Sequence, residues 1–351
     1  MLCTTKLAIV VQAVIYPIPL SVQTTYQELL EAHLERSVLG IDGKPELRET
    51  AGKHYWYARV RVGDRVITRY VGPDSPELRS RMERAGSLHE EQKSFEKRCG
   101  IWTAQLRAAG LPALDQASGK IINALAKSGV FRLGGTLVGT HAYRLYDAAL
   151  GAHVATPAAA ITEDVDIASF EKLALAIDDA ADPALPGALS ELGLQPVQAL
   201  DAADTGNRWR MSGQGMALDF LTPSLEDEEG IRELPTLGVA AQSLHFLNYL
   251  IVEPIHAVAV YRSGVLVQIP RPERFAVHKL IVSQRRPGHQ RGKALKDRVQ
   301  AGRLIEFLSE SRPAELSAAL EDARAQGPKW RRLLDAAIKG DQKIAKRLSA
   351  L

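Results

Sequence analysis

Thr162-Glu163-Asp164-Val165-Asp166-Ile167-Ala168 is the stretch on which the reading of this chain turns. Acidic and apolar residues alternate through it. On a β-strand residues i and i+2 point to the same face, roughly 6–7 Å apart. Val165 and Ile167 would therefore face a core, while Asp164 and Asp166 share an open face. Two carboxylates so close repel each other unless a cation lies between them, and paired hard oxygen donors suit Mg²⁺ or Mn²⁺. An acid-x-acid pair on a solvated edge strand has the same pattern, so the flanking sequence has to decide.

Upstream, Thr136-Leu137-Val138-Gly139-Thr140-His141-Ala142 reads as strand, break and helix. The apolar run 131–138 predicts a buried strand, and the pattern over 141–150, closed by Gly151, predicts a helix. A glycine at a helix N-terminus lets backbone N–H groups approach a phosphate, and the helix dipole favours the anion. Gly139 and Thr140 are thus the candidate phosphate turn. Gly134-Gly135 is the alternative, although close packing or a bulge accounts for it better. His141 would either approach a triphosphate or pack at the helix start. Downstream, Ala217-Leu218-Asp219-Phe220-Leu221 places an acid inside an apolar strand. A buried lone Asp needs a partner, which a cation shared with Asp164 and Asp166 would provide; a strand-end turn acid is the plainer reading.

The rest of the chain sets the frame. The 351 residues exceed what one small core needs. Apolar residues make up 46% and charged residues 24%, as in ordinary globular proteins. Cys3 and Cys99 stand far apart without metal-ligand spacing, which argues against a disulfide scaffold or a zinc site and fits a reducing cytoplasm. No apolar stretch has membrane-spanning length, and the segment from Lys6 to Leu20 reads as a short extension rather than a signal peptide. The net charge of +3 hides an imbalance. Residues 271–351 carry 19 Lys and Arg against 9 Asp and Glu, whereas residues 161–270 carry 5 against 17. A basic C-terminal part can meet polyanions, although mutual attraction or solvation of the two halves accounts for the same numbers.

A helix over 22–38, a β-hairpin over 54–71 and a long polar helix over 75–99 make residues 1–110 a separate N-terminal module. Residues 111–270 would form the core, with a helix over 116–128, strand pairs around 209–221 and 255–269 and a helix over 170–180. Residues 271–351 read as a basic helical region. Tyr55, Trp56 and Tyr57 beside Arg59, Arg61 and Arg65 combine aromatic rings with cations, a composition that can stack bases; in/out alternation on a packed hairpin explains the same residues and is the favoured reading.

Strand, Gly-Thr, helix, then Asp-x-Asp, then a third strand carboxylate resembles the DNA polymerase β-like nucleotidyltransferase superfamily. Leu137-Val138-Gly139-Thr140-His141-Ala142-Tyr143, the Asp164 segment and the hairpin end Arg69-Tyr70-Val71-Gly72-Pro73 resemble a bacterial group of that fold. Phe275-Ala276-Val277-His278-Lys279 through Arg285-Arg286, followed by Lys296-Asp297-Arg298, is similar in order to abortive-infection-type nucleotidyltransferase toxins. One departure is the long spacing from Thr140 to Asp164.

The resemblance implies an α+β fold: a nucleotidyltransferase-type mixed sheet flanked by helices, with the helix-and-hairpin module in front and the helical region behind. It implies that Asp164, Asp166 and Asp219 are catalytic and hold Mg²⁺ or Mn²⁺. Gly139, Thr140, Lys279, Arg285 and Asp297 would bind the nucleotide, Asp297 by orienting Lys279 or Arg298. Arg285, Arg286 and Lys293 would extend the phosphate contact or meet RNA, a solvated basic loop being the equal alternative for these three. The implied reaction moves a nucleotide from an NTP, ATP among them, to a hydroxyl with release of pyrophosphate. RNA, and tRNA in particular, is the favoured acceptor, with a protein or small molecule as alternatives and an antitoxin protein as a further partner. A nucleotide- or RNA-binding protein without chemistry is the other class of reading.

Overall fold

The computed structural model describes residues 15–39, 44–50, 52–62, 65–85, 92–171, 180–182, 184–197, 207–211, 213, 215–226 and 228–351. The apolar start of the chain, most of the helix expected over 170–180 and the hairpin turn Gly63-Asp64 lie outside these residues.

The N-terminal part runs α1 (Leu20–Leu39), β1 (Lys44–Thr50), β2 (Lys53–Val62), β3 (Arg65–Pro73), α2 (Pro76–Ala85) and α3 (Gln92–Ala108). The expected hairpin is β2–β3, and β1 adds a third antiparallel strand. The single polar helix expected over 75–99 is instead two, α2 and α3. The hairpin's aromatic rings are packed rather than presented. Tyr57 and Tyr70 are buried edge-to-face at 5.6 Å, and the Trp56 indole N–H donates to Asp74 at 2.7 Å.

The core follows as α4 (Gln116–Lys127), β4 (Thr136–Val138), α5 (Gly139–Leu150), β5 (Asp164–Ala168), α6 (Leu185–Glu191), β6 (Leu194–Pro196), β7 (Arg208–Met211), β8 (Ala217–Pro223), β9 (Ile231–Leu234), β10 (Val239–Leu244), α7 (Leu247–Ile251), β11 (Ile255–Ala259) and β12 (Val265–Ile269). The central sheet runs β4-β5-β8-β10-β9. β5 and β8 are parallel neighbours, and β8 is shared on its other edge between β7 at its start and β10 at its end. The strand expected over 131–138 shortens to β4. The apolar residues before it form a buried turn in which Gly134 has φ +89° and a Cβ on Gly135 would come within 2.5 Å of Val130 Cγ1. That pair of glycines serves close packing.

The C-terminal part is helical: α8 (Pro272–Arg285), α9 (Arg291–Ser311), α10 (Pro313–Ala325), α11 (Pro328–Lys339) and α12 (Gln342–Leu348). α8 is buried over most of its surface, among α9, α10, α11 and α7, although Glu273, His278, Lys279 and Ser283 are among its buried residues. Phe275 on α8 stacks on Tyr143 and meets Tyr146 edge-on, which ties this bundle to α5. Helices and one mixed sheet thus make an α+β protein.

The N-terminal helix is part of the same packed body. The Tyr26 hydroxyl accepts from the Val258 N–H at 3.0 Å, satisfying that donor on the outer edge of β11. Tyr26 packs there with Leu29, Cys99 and Leu106. Burying an N–H without a partner costs about 1–3 kcal/mol. Tyr26→Phe is therefore expected to lower unfolding stability by about 1–2 kcal/mol in urea titrations at unchanged slope.

Candidate active site

The pairing register sets the site. Asp166 on β5 lies opposite Asp219 on β8, and Asp164 lies opposite Ala217. Parallel neighbours are about 4.8 Å apart, so Asp164, Asp166 and Asp219 share one face. Val165, Ile167, Leu218 and Phe220 fill the other, fully buried. Asp219 is half-buried, as are Asp164 and Asp166, so the acids border the core without being sealed in it.

Charge on this face is frustrated. Burial pushes the Asp166 carboxyl up to about 6, Asp219 and Asp164 add repulsion, and Lys279 and Lys293 pull the other way. Burial also raises Asp219, opposed by Arg208 and reinforced by Asp164. Arg208, opposite Asp219 on β7, reaches both outer acids: Nη2 donates to Asp164 Oδ1 at 3.2 Å, and Nε lies 3.4 Å from Asp219 Oδ1.

The turn from β4 into α5 meets Asp166. Gly139 has φ +66°, and a Cβ there would fall 2.3 Å from Asp166 Oδ2. Only glycine allows this approach. The first N–H groups of α5 lack helical partners, as at any helix start, and offer donors to an anion beside Asp166. Thr140 and His141 are buried in this first turn. Among the described residues His141 has no hydrogen-bond partner at either ring nitrogen, and burial pushes it down to about 4. It is a packed neutral imidazole, the plainer of its two readings.

Helices α8 and α9 supply the cations. Lys279 Nζ donates to Asp297 at 2.6 Å, and Arg286 Nε donates to the other Asp297 oxygen at 3.0 Å. Asp297 is buried; burial works against its charge, but Lys279 and then Arg286 outweigh that and hold its carboxyl low. Asp297 thus orients Lys279 and Arg286, not Arg298. Lys279, Lys293 and Lys296 all act electrostatically on Asp166 or are acted on by it. Arg285 is placed elsewhere: it pairs with Glu229 at 2.9 Å and lies over the Phe246 ring.

Sequence reading missed Arg208. The available signal was the alternation Arg208-Trp209-Arg210-Met211, which turns Trp209 and Met211 inward and both arginines to the other face. Among the described residues no group of three or more His, Cys, Asp or Glu side chains converges as a ready metal cluster. The donor chemistry nonetheless suits a hard divalent cation, because three carboxylates share one face, and burial together with the neighbouring acids raises the proton affinity of Asp166 and Asp219.

An acidic sheet face is thus flanked by a glycine-started helix, whose N-terminus can accept an anion, and by lysines from two further helices. A family model described as nucleotidyltransferase matches residues 116–325, and the chain belongs to that family and is a nucleotidyltransferase. Residues 21–80 match a second family model, a domain of unknown function, DUF6788. No curated protein and no solved structure matched the chain.

The raised carboxyl has a consequence for stability. Its folded-state value near 6 exceeds the ordinary 3.8, so the folded protein holds a proton that the unfolded chain has released between those values. Ionised Asp166 therefore weakens the fold above about pH 6, and the penalty fades as pH falls toward 4. Asp166→Asn is expected to stabilise the protein in EDTA by about 1–3 kcal/mol at pH 8, with the gain shrinking at pH 4.5. Denaturant titrations at the two pH values check this.

Proposed function

We propose that this enzyme transfers a nucleotide from an NTP to a hydroxyl of RNA, releasing pyrophosphate, and that it uses Mg²⁺ or Mn²⁺ held by Asp164, Asp166 and Asp219. The observation that carries this reading is the register of β5 and β8, which gathers three acids beside the start of α5 and opposite Lys279. Divalent cations bound there would neutralise phosphate charge and stabilise the attacking and leaving oxygens.

The chain's own groups supply the rest. The N-terminus of α5 at Gly139 and Thr140 receives phosphate oxygens through backbone N–H groups. Lys279, fixed by Asp297, neutralises the departing pyrophosphate as a point charge, with Lys293 and Lys296 beside it. The acceptor oxygen attacks the α-phosphorus, the bond to the β-phosphate oxygen breaks, and Asp219 takes the hydroxyl proton. The basic C-terminal part supports a polyanionic acceptor, and the resemblance to abortive-infection toxins favours tRNA.

Incubating the protein with total RNA and each α-labelled NTP, in Mg²⁺ or Mn²⁺, tests this. Label is expected in RNA, with a loss of about 100-fold or more in Asp164→Ala. Label in protein alone would move the acceptor away from RNA. No transfer under any combination, with NTP binding intact in the double substitution Asp164→Ala and Asp166→Ala, would leave a binding protein without chemistry.

A further inference from the structure

Among the described residues, Arg208 is the side chain that touches two of the three acids. Its guanidinium spans from β7 across β8 to β5, reaching Asp219 and Asp164 at single points. Both contacts are long for charge-assisted hydrogen bonds, which settle at about 2.7–2.9 Å. The Nε faces Asp219 without hydrogen-bond geometry and, although buried, has no hydrogen-bond partner among the described residues. A structural Arg–carboxylate bridge is ordinarily bidentate and satisfied; this one is neither. Asp166 between the two acids is left to Lys279 and Lys293, with its proton affinity raised.

We infer that Arg208 is an internal counter-cation that competes with the divalent metal for Asp164 and Asp219, and that it yields them when a triphosphate offers its guanidinium another anion. This rests on the metal-dependent reading proposed above. Three carboxylates in one place need positive charge at all times. Without metal, a tethered guanidinium supplies it. A divalent cation taking the same oxygens must displace that group, so metal alone binds weakly. Phosphate oxygens arriving at the α5 N-terminus can accept the released guanidinium, whose planar donor fork matches them. Metal and nucleotide would then bind in a coupled way, beyond the attraction each has for the other.

The test is Mn²⁺ binding in the absence of nucleotide, followed by electron paramagnetic resonance of free Mn²⁺ on the full chain and on Arg208→Gln and Arg208→Lys. Arg208→Gln is expected to bind Mn²⁺ about tenfold more tightly, because a competing positive charge is gone. Arg208→Lys should fall between, since one ammonium cannot span both acids. Arg208→Gln should also lose stability in EDTA and regain it with Mn²⁺, giving a larger metal-dependent rise in Tm than the unsubstituted protein. This second readout survives a weakened fold. A non-hydrolysable NTP analogue should tighten Mn²⁺ binding by a smaller factor in Arg208→Gln. Unchanged or weaker Mn²⁺ affinity in a folded Arg208→Gln would overturn the inference, because Arg208 would then be positioning the acids for the metal. If neither protein binds Mn²⁺ at millimolar concentration, the metal reading itself falls and this inference with it.

Discussion

Repulsion among three carboxylates on one face of a sheet is the constraint around which the rest of this molecule is arranged. The register of β5 against β8 puts Asp166 opposite Asp219, and the alternation of β5 adds Asp164. Each nearby group then reads as a response to that charge. Gly139 removes its own side chain so that the positive end of α5 can approach Asp166. Arg208 leans across from β7. Lys279 is held from behind by Asp297, which in turn needs Arg286. That last step matters: a lysine facing an acid with nothing behind it would collapse onto the acid and neutralise it. Asp297 gives Lys279 a fixed partner and leaves the sheet acids short of charge.

This division of charge separates structure from function. Asp297 is buried and paired with two cations, and losing one partner of such a group leaves an uncompensated charge in the interior, a cost of about 3–5 kcal/mol. Asp166 is the opposite case. Its burial, its neighbours and its raised carboxyl make it a cost to the fold rather than a support. A face so arranged keeps its charges unbalanced, as a satisfied network does not.

Much of this was legible from the chain where the signal is local. The alternation through Asp164 and Asp166, the Gly139 break before a helix and the acid inside an apolar strand at Asp219 each need only a few residues. What failed needed distant partners. The apolar run before β4 looked like strand, but Gly129, Gly134 and Gly135 fold it into a buried turn, so burial had been mistaken for pairing. The polar stretch after Pro76 carried helical character without revealing that it divides into α2 and α3. The strands β1, β9 and β10 gave no strong alternation. Arg208 became visible only once β7 was known to pair with β8, because its relation to Asp164 spans 44 residues of sequence. Arg285 shows the converse: it follows Lys279 on the same helix, yet its position turns it to Glu229 and Phe246.

The position of the C-terminal helices follows from the same reasoning. Lys279, Lys293, Lys296 and Asp297 come from two helices that contribute nothing to the sheet. They must nevertheless be held against it with side-chain precision. Phe275 locks α8 to Tyr143 and Tyr146 of α5, the helix that begins at Gly139. The Tyr146 hydroxyl fixes the entry to α8 by donating to Pro270 O at 2.9 Å. Gln300 of α9 reaches back to Ala159 O at 2.7 Å, in the loop that leads into β5. The cationic wall and the acidic face are thus joined through α5 and the β5 approach, both of which end at the acids. Any shift of the bundle relative to the sheet would move Lys279 and Gly139 together, because one aromatic cluster carries them both.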